Sequence, residues 1–251
     1  GCNVNIWGLG HDNFENKQIP LQKYDLVLNL ENYDINGWSP DLSRNTSVKL
    51  LWSIDAHCRG LDPYLDTFRQ GKYDKILQST KYFLNEESIW FPNCFDDGLI
   101  TKKNTPKTKE IGFCGSLLNR AQILTFLNTY CGLEPDIWVL GDKMVDTVNS
   151  YWIHFNINLA NDINYRSFET IGCGTVLLTN YNPQYIELGF EDEVNCLLYK
   201  DKQELTQKID KYLKKYETLG RIAQEGYNLS KQHTYDNRAK LLLDIYKDIR
   251  G

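Results

Sequence analysis

Asn164-Tyr165-Arg166-Ser167-Phe168-Glu169-Thr170-Ile171-Gly172-Cys173-Gly174-Thr175 runs straight into the apolar stretch Val176-Leu177-Leu178. It reads as a short helix that closes on two glycines and passes into a buried strand. Side chains three apart share a helix face, so Arg166 and Glu169 are expected to project together. The free backbone N–H groups of the helix start lie beside them. That grouping suits a ligand with an anionic end and a diol end, and a nucleotide diphosphate sugar has both. The competing reading is an exposed ion pair worth a few tenths of a kcal/mol. Asn158, Asn161, Asp162 and Asn164 crowd the loop just ahead. In a parallel sheet such a loop lies at the carboxyl ends of the strands, where ligands bind.

Outward from this segment, short apolar runs alternate with helical patterns. Strands are expected at 4–7, 25–30, 48–54, 75–77, 89–91, 111–114, 137–140, 153–159, 176–179 and 196–199. Helices are expected at 64–70, 120–130, 144–151, 165–172, 202–216, 219–231 and 235–249. Several strands lack polar alternation, as strands covered on both faces do. The alternation predicts an α/β class with parallel sheets. Thr101–Lys109 holds four lysines, a proline and no large apolar residue, and reads as an exposed, solvated linker. It divides the chain into an N-terminal domain at 1–105, a second domain at 106–235 and a closing helix at 236–251.

Two further segments carry candidate chemistry. Glu110-Ile111-Gly112-Phe113-Cys114-Gly115-Ser116, followed by Leu117-Leu118-Asn119-Arg120, is a strand entering a small-residue turn and a helix. Gly115 lets the backbone approach a ligand, and Ser116 is expected to cap the following helix. Helix starts of this kind bind anions, though ordinary βα turns use the same residues. Trp52-Ser53-Ile54-Asp55-Ala56-His57 ends another apolar strand. In extended backbone Asp55 and His57 share a side, and a carboxylate beside an imidazole suits general-base work. The alternative is a hydrogen-bonded pair that only fixes a loop. His11 follows Gly8-Leu9-Gly10, whose glycines allow close approach to a substrate. His154, inside an apolar strand, reads as a satisfied core residue, and His233 is assigned no chemistry.

The 251 residues carry a formal net charge of −5, with 41% hydrophobic and 24% charged residues. That is the composition of a globular protein without the basic excess of non-specific nucleic-acid binders. No apolar run approaches the roughly 18–20 residues needed to span a bilayer, and no signal-peptide pattern is visible; Gly1 in place of Met reads as a trimmed start. Seven widely spaced cysteines with no C-x-x-C argue against a disulfide framework and a zinc site, and for a reducing, cytoplasmic setting. P-loop, nucleophile-elbow and H-E-x-x-H patterns are absent from the sequence.

Residues 110–246 resemble the C-terminal half of GT-B glycosyltransferases, and among them the CgeB-like (spore-maturation-type) group. The matching features, in order, are the Ile111–Ser116 turn with Arg120, the strand end at Asn158 and the Asn164–Gly174 segment. Val176–Thr179, Pro183–Leu188, Asn195–Tyr199 and His233-Thr234 with Arg238 and Leu241-Leu242 follow. The Trp52–His57 and Trp90–Asn93 segments are similar to that group's first domain. The resemblance implies two Rossmann-like domains, a cleft between them and a C-terminal helix returning to the first. It further implies a nucleotide-diphosphate sugar donor, a uridine diphosphate sugar first among them, with no cofactor required and no metal site. Glu169 would hold the donor ribose. Arg166, Arg120, Gly115 and Ser116 would meet the diphosphate, with Asn164 and Tyr165 beside them. Asp55 and His57 would act at the transferred sugar and the acceptor, with Gly8, Gly10 and His11 on the acceptor side. Eight residues ahead of Glu169, where related retaining enzymes often carry a second glutamate, this chain has Asn161. The implied activity is sugar transfer to a hydroxyl of a saccharide, a protein or a modified nucleic acid. A glycosyltransferase acting on a hydroxymethylated DNA base and a non-catalytic nucleotide-sugar-binding module are the alternatives.

Overall fold

Two wholly parallel sheets organise the computed structural model, which describes residues 2–8, 11–14, 20–31 and 40–251. The chain divides into two units. The first takes in Gly1–Gln78, Phe83–Trp90 and Ile245–Gly251, and the second takes in Ser79–Tyr82 and Phe91–Asp244.

In the first unit β1 (Leu26–Leu30), β2 (Val48–Ser53), β3 (Lys75–Gln78) and β4 (Ser88–Trp90) pair in sequence order. β2 is buried along its whole length, as an interior parallel strand should be. Leu51 packs in one cluster with Tyr64 of α2 (Asp62–Gly71) and Ala56 of α1 (Ala56–Arg59). Lys49 lies within this buried strand, and its ammonium is satisfied by the carbonyls of Leu42 at 3.1 Å and Gly71 at 2.9 Å.

The second unit contains β5 (Lys109–Gly115), β6 (Pro135–Ile137), β7 (Tyr151–Phe155), β8 (Val176–Asn180) and β9 (Leu197–Tyr199). They are arranged in the order β6-β5-β7-β8-β9. The accompanying helices are α3 (Ala121–Cys131), α4 (Asp142–Asn149), α5 (Tyr165–Gly172), α6 (Pro183–Glu187), α7 (Lys202–Tyr212), α8 (Tyr216–Ser230) and α9 (Tyr235–Arg250), the last of which begins in this unit. Phe113, Ile153, Phe155, Val176, Leu178 and Leu197 are fully buried at the centre of its core. After β5 the chain moves outward to β6 and then returns to the other side of β5 for β7. The crevice between the carboxyl ends of β5 and β7 is therefore a topological switch point, the position at which open α/β sheets bind ligands.

Several expectations are corrected. Residues 4–7 form no strand; Val4 and Ile6 are 75% and 61% exposed, so the run has no covered face to pair from. The strand expected at 137–140 ends at Ile137, because Trp138 turns into left-handed backbone with φ 58°. The helix expected at 202–216 breaks after Tyr212, with Lys214 at φ 65°. Thr101–Lys109 is largely exposed and irregular up to Thr108, as expected, and its last residue opens β5. Its lysine ammoniums reach Gln224 (Lys102, 2.7 Å), Asp146 (Lys103, 2.5 Å), Thr175 (Lys107, 2.9 Å) and Asp136 (Lys109, 2.7 Å). The chain crosses between the two units at Gln78–Ser79, Tyr82–Phe83, Trp90–Phe91 and Asp244–Ile245.

Candidate functional site

Arg166 lies in the first turn of α5, and Glu169 lies one turn on. They do not form the ion pair of the simpler reading; no N···O approach within 4 Å joins them among the described residues. The guanidinium is committed elsewhere. Its Nε donates to the carbonyl of Cys114 at 2.9 Å and its Nη1 to Oδ1 of Asn156 at 3.0 Å. The guanidinium carbon also stands 5.1 Å from the centroid of the Phe113 ring. Arg166 thus ties the turn after β5 to the loop after β7, across the switch point.

The third nitrogen, Nη2, lies against Gly115 and donates to no protein group among the described residues. A Cβ built on Gly115 would stand 2.3 Å from it, so the glycine is required for the guanidinium to lie where it does. Burial and the nearby Arg120 lower the Arg166 pKa to about 10, which leaves it cationic at neutral pH. Glu169 is half-buried, and its carboxylate makes no side-chain hydrogen bond or ion pair among the described residues. Burial raises its pKa, and the attraction of Arg166 opposes that rise. A cation with an uncommitted donor and a carboxylate with uncommitted acceptors therefore share one helix face at the switch point.

Behind this pair stands a buried polar network. Asn156, fully buried, donates to Oδ1 of Asn164 (3.2 Å) and to the hydroxyls of Ser167 (3.2 Å) and Thr179 (3.3 Å). Tyr185 joins Ser167 at 2.7 Å and accepts from Asn158 at 2.9 Å. On the other side His154 Nε2 accepts from the Cys114 N–H at 3.1 Å, which places the ring proton on Nδ1. Nδ1 meets the Thr170 hydroxyl at 2.7 Å, and that hydroxyl donates to the Arg166 carbonyl at 2.6 Å. Burial, with Arg166 adding to it, holds His154 well below the usual histidine pKa. It is the satisfied core residue expected, and it also anchors both halves of the site.

Ser116 accepts from the Leu118 N–H at 3.2 Å, capping its own turn rather than α3, which starts at Ala121 without a side-chain cap. Arg120 immediately precedes α3 and turns Nη1 to the Leu118 carbonyl at 3.2 Å. Asn164 precedes α5 and Tyr165 opens it; Asn164 engages Asn156 instead of capping the helix. Asn161 is exposed, and its carbonyl accepts from Gln184 at 3.1 Å.

Asp55 and His57 belong to the first unit, and not to an extended segment: Asp55 precedes α1 and His57 is its second residue. Spacing i,i+2 in a helical turn does not put two side chains on one side. The structure instead reveals Glu31, which the sequence does not single out, in left-handed backbone with φ 64°. Its carboxylate accepts from the Ile54 and Asp55 N–H groups and from the Tyr64 hydroxyl. No local pattern marks it, since 24 residues separate it from Asp55. Gly8 is buried, its carbonyl accepting from the exposed His11 at 3.1 Å. Gly10 lies outside the described residues. Among the described residues no His/Cys/Asp/Glu cluster could hold a metal ion, and no helix is long and apolar enough to cross a membrane.

The same architecture occurs in known proteins. Residues 128–244 match the family model described as glycosyl transferase-like. No curated protein matches the sequence. Among solved structures, Anabaena Alr3699/HepE in complex with UDP and glucose is similar with a TM-score of 0.67 at 11% identity, over 92% of this chain and 78% of that one. A glycosyltransferase from Rickettsia africae gives 0.61 at 10% identity, over 99% and 84%. Sucrose-phosphate synthase from Thermosynechococcus elongatus gives 0.63 at 11%, over 90% and 74%. Residues 128–244 thus match a glycosyl transferase-like model, and the chain has an α/β fold with parallel sheets that resembles these solved structures.

Proposed function

We propose that the chain transfers a sugar from a nucleotide-diphosphate donor, a uridine diphosphate sugar in the first instance, to a hydroxyl acceptor. The observation that carries this reading is Arg166, pinned at the switch point with Nη2 uncommitted, one turn from the uncommitted carboxylate of Glu169. In this reading Glu169 accepts from the ribose hydroxyls, while Arg166 and Arg120 face the diphosphate beside Gly115 and Ser116. As the anomeric C–O bond breaks, the electron pair leaves with the diphosphate, and a fixed guanidinium stabilises the developing charge without reorganising. The acceptor oxygen forms the new bond to the anomeric carbon and gives up its proton. In an inverting reaction Asp55 or His57 would take that proton; a retaining route needs no such base. Residues from 106 to 235 form the donor side, and residues 1 to 105, with Gly8, Gly10 and His11, form the acceptor side. The acceptor is a saccharide, a protein or a modified nucleic acid. Membership of the CgeB-like group, a cytoplasmic setting and independence from any cofactor belong to the same proposal.

The domain match and the UDP-bound structural neighbour support the reading. The test is release of nucleotide diphosphate from uridine, guanosine, adenosine and cytidine diphosphate sugars. Wild-type protein is expected to turn over at least one, and Arg166→Ala to lose turnover by about a hundred-fold or more, the scale of an oxyanion-stabilising donor. Equal turnover by wild type and Arg166→Ala contradicts it. Asp55→Asn and His57→Ala separate an inverting transferase from a binding module, which would keep its full function in both.

A further inference from the structure

We propose that Trp138 forms the stacking platform for the nucleobase of the donor, an inference that rests on the donor reading above. β5 and β6 are adjacent parallel strands with Gly115 opposite Ile137 in register, about 4.8 Å apart in strand spacing. Trp138 is therefore the first residue beyond the strand end that lies beside Gly115, where Arg166 Nη2 sits. The two turns stay in contact farther on, with Cys114 Sγ 4.0 Å from the Val139 carbonyl.

Trp138 breaks two rules at once. It is 75% exposed, and its φ of 58° is a left-handed conformation that a bulky side chain rarely adopts. Exposed large aromatics in strained backbone are found where function over-determines the conformation. Leu140, two residues on, and Leu118, three residues beyond Gly115, are 75% and 70% exposed, so the segments that leave β6 and β5 carry exposed apolar side chains, with the Arg166 cation against Gly115. A ligand that fits both is flat and apolar at one end and anionic at the other. A nucleoside diphosphate meets that description: its phosphates belong at Arg166, and its base belongs on the indole. The occupant is thus the donor's own base rather than a separate partner.

The test compares UDP with inorganic pyrophosphate by calorimetric titration of wild type, Trp138→Phe, Trp138→Ala and Trp138→Gly. Loss of base stacking is expected to weaken UDP binding roughly ten-fold in Trp138→Ala, with pyrophosphate binding unchanged and Trp138→Phe close to wild type. Quenching of tryptophan fluorescence by UDP should be present in wild type and reduced in Trp138→Phe. Trp138→Gly, which relieves the left-handed strain, is expected to melt at or above the wild-type temperature while losing UDP affinity. A residue kept for packing would show the opposite. Wild-type UDP affinity in Trp138→Ala overturns the inference, as does equal loss of UDP and pyrophosphate. Loss of transfer with UDP binding intact assigns the rim to the acceptor and overturns it too. If wild-type protein binds none of the uridine, guanosine, adenosine and cytidine diphosphates, the donor reading itself fails.

Discussion

At the scale of single residues, the site depends on how one guanidinium is shared out. Arg166 uses two of its nitrogens on the protein and presents the third against Gly115. Gly115→Ala would place a methyl 2.3 Å from that nitrogen. The φ of +156° adds strain for any side chain there, and the guanidinium, held by Cys114 and Asn156, must give way. UDP affinity is expected to fall by about ten-fold or more together with a lower melting temperature, measured by calorimetry and thermal denaturation. Glu169 makes a second prediction. Its pKa is raised in the folded state, so the stability it confers is complete below its ordinary value of 4.5 and is lost as pH rises through its folded value. Glu169→Gln should therefore melt higher than wild type at pH 7, with the advantage disappearing below about pH 4.5, while nucleotide binding is lost. A variant less stable than wild type at pH 7 would show that the carboxylate is held by a favourable partner.

At the scale of elements, β5, β7 and α5 are locked together by neutral histidine and hydroxyl groups. His154 joins the Cys114 N–H to Thr170, and His233 donates to the Leu188 carbonyl at 2.8 Å. Both are buried, and burial brings His233 down to about 4. A depressed histidine contributes stability that is present above its unfolded value, near 6.5, and is lost as pH falls toward its folded value. Between pH 7 and pH 5 His233 should cost about 2 kcal/mol, visible as a falling urea midpoint, and His154 should act in the same direction. Thr170→Val, which strips His154 of its partner, should cost about 1–3 kcal/mol at pH 7 by leaving a buried donor unmet. Much of this layer is legible in the sequence. Apolar runs without alternation locate the strands among the described residues closely except β6 and β7, the latter expected at 153–159 and observed at Tyr151–Phe155, and the i,i+3 spacing puts Arg166 and Glu169 on one face. A short apolar run does not reveal whether anything covers it, so residues 4–7 read as a strand and form none. Asn156, Glu31 and the lysines of Thr101–Lys109 escape a reading of the sequence for one reason. Their partners lie between 8 and 122 residues away and are brought near only by the topology.

At the scale of the whole molecule, the chain builds two separate parallel sheets. Arg166, Glu169 and the switch point between β5 and β7 fall entirely within the second unit. The first unit supplies a carboxylate-capped strand end at Glu31, Asp55 and Tyr64. In the proposed reaction donor binding is independent of that strand end, so Asp55→Asn should bind UDP as wild type does and differ only in transfer. The central claim is that Arg166 and Glu169 together hold a nucleoside diphosphate. Its most direct measurement is the thermal stabilisation of wild type, Glu169→Ala and Arg166→Ala by UDP. At a concentration of 100 times the dissociation constant, wild-type protein should gain about 2.7 kcal/mol, and both variants should gain nothing at the same concentration. A wild-type protein unmoved by UDP and by the guanosine, adenosine and cytidine diphosphates, or a Glu169→Ala variant stabilised as much as wild type, would contradict that claim.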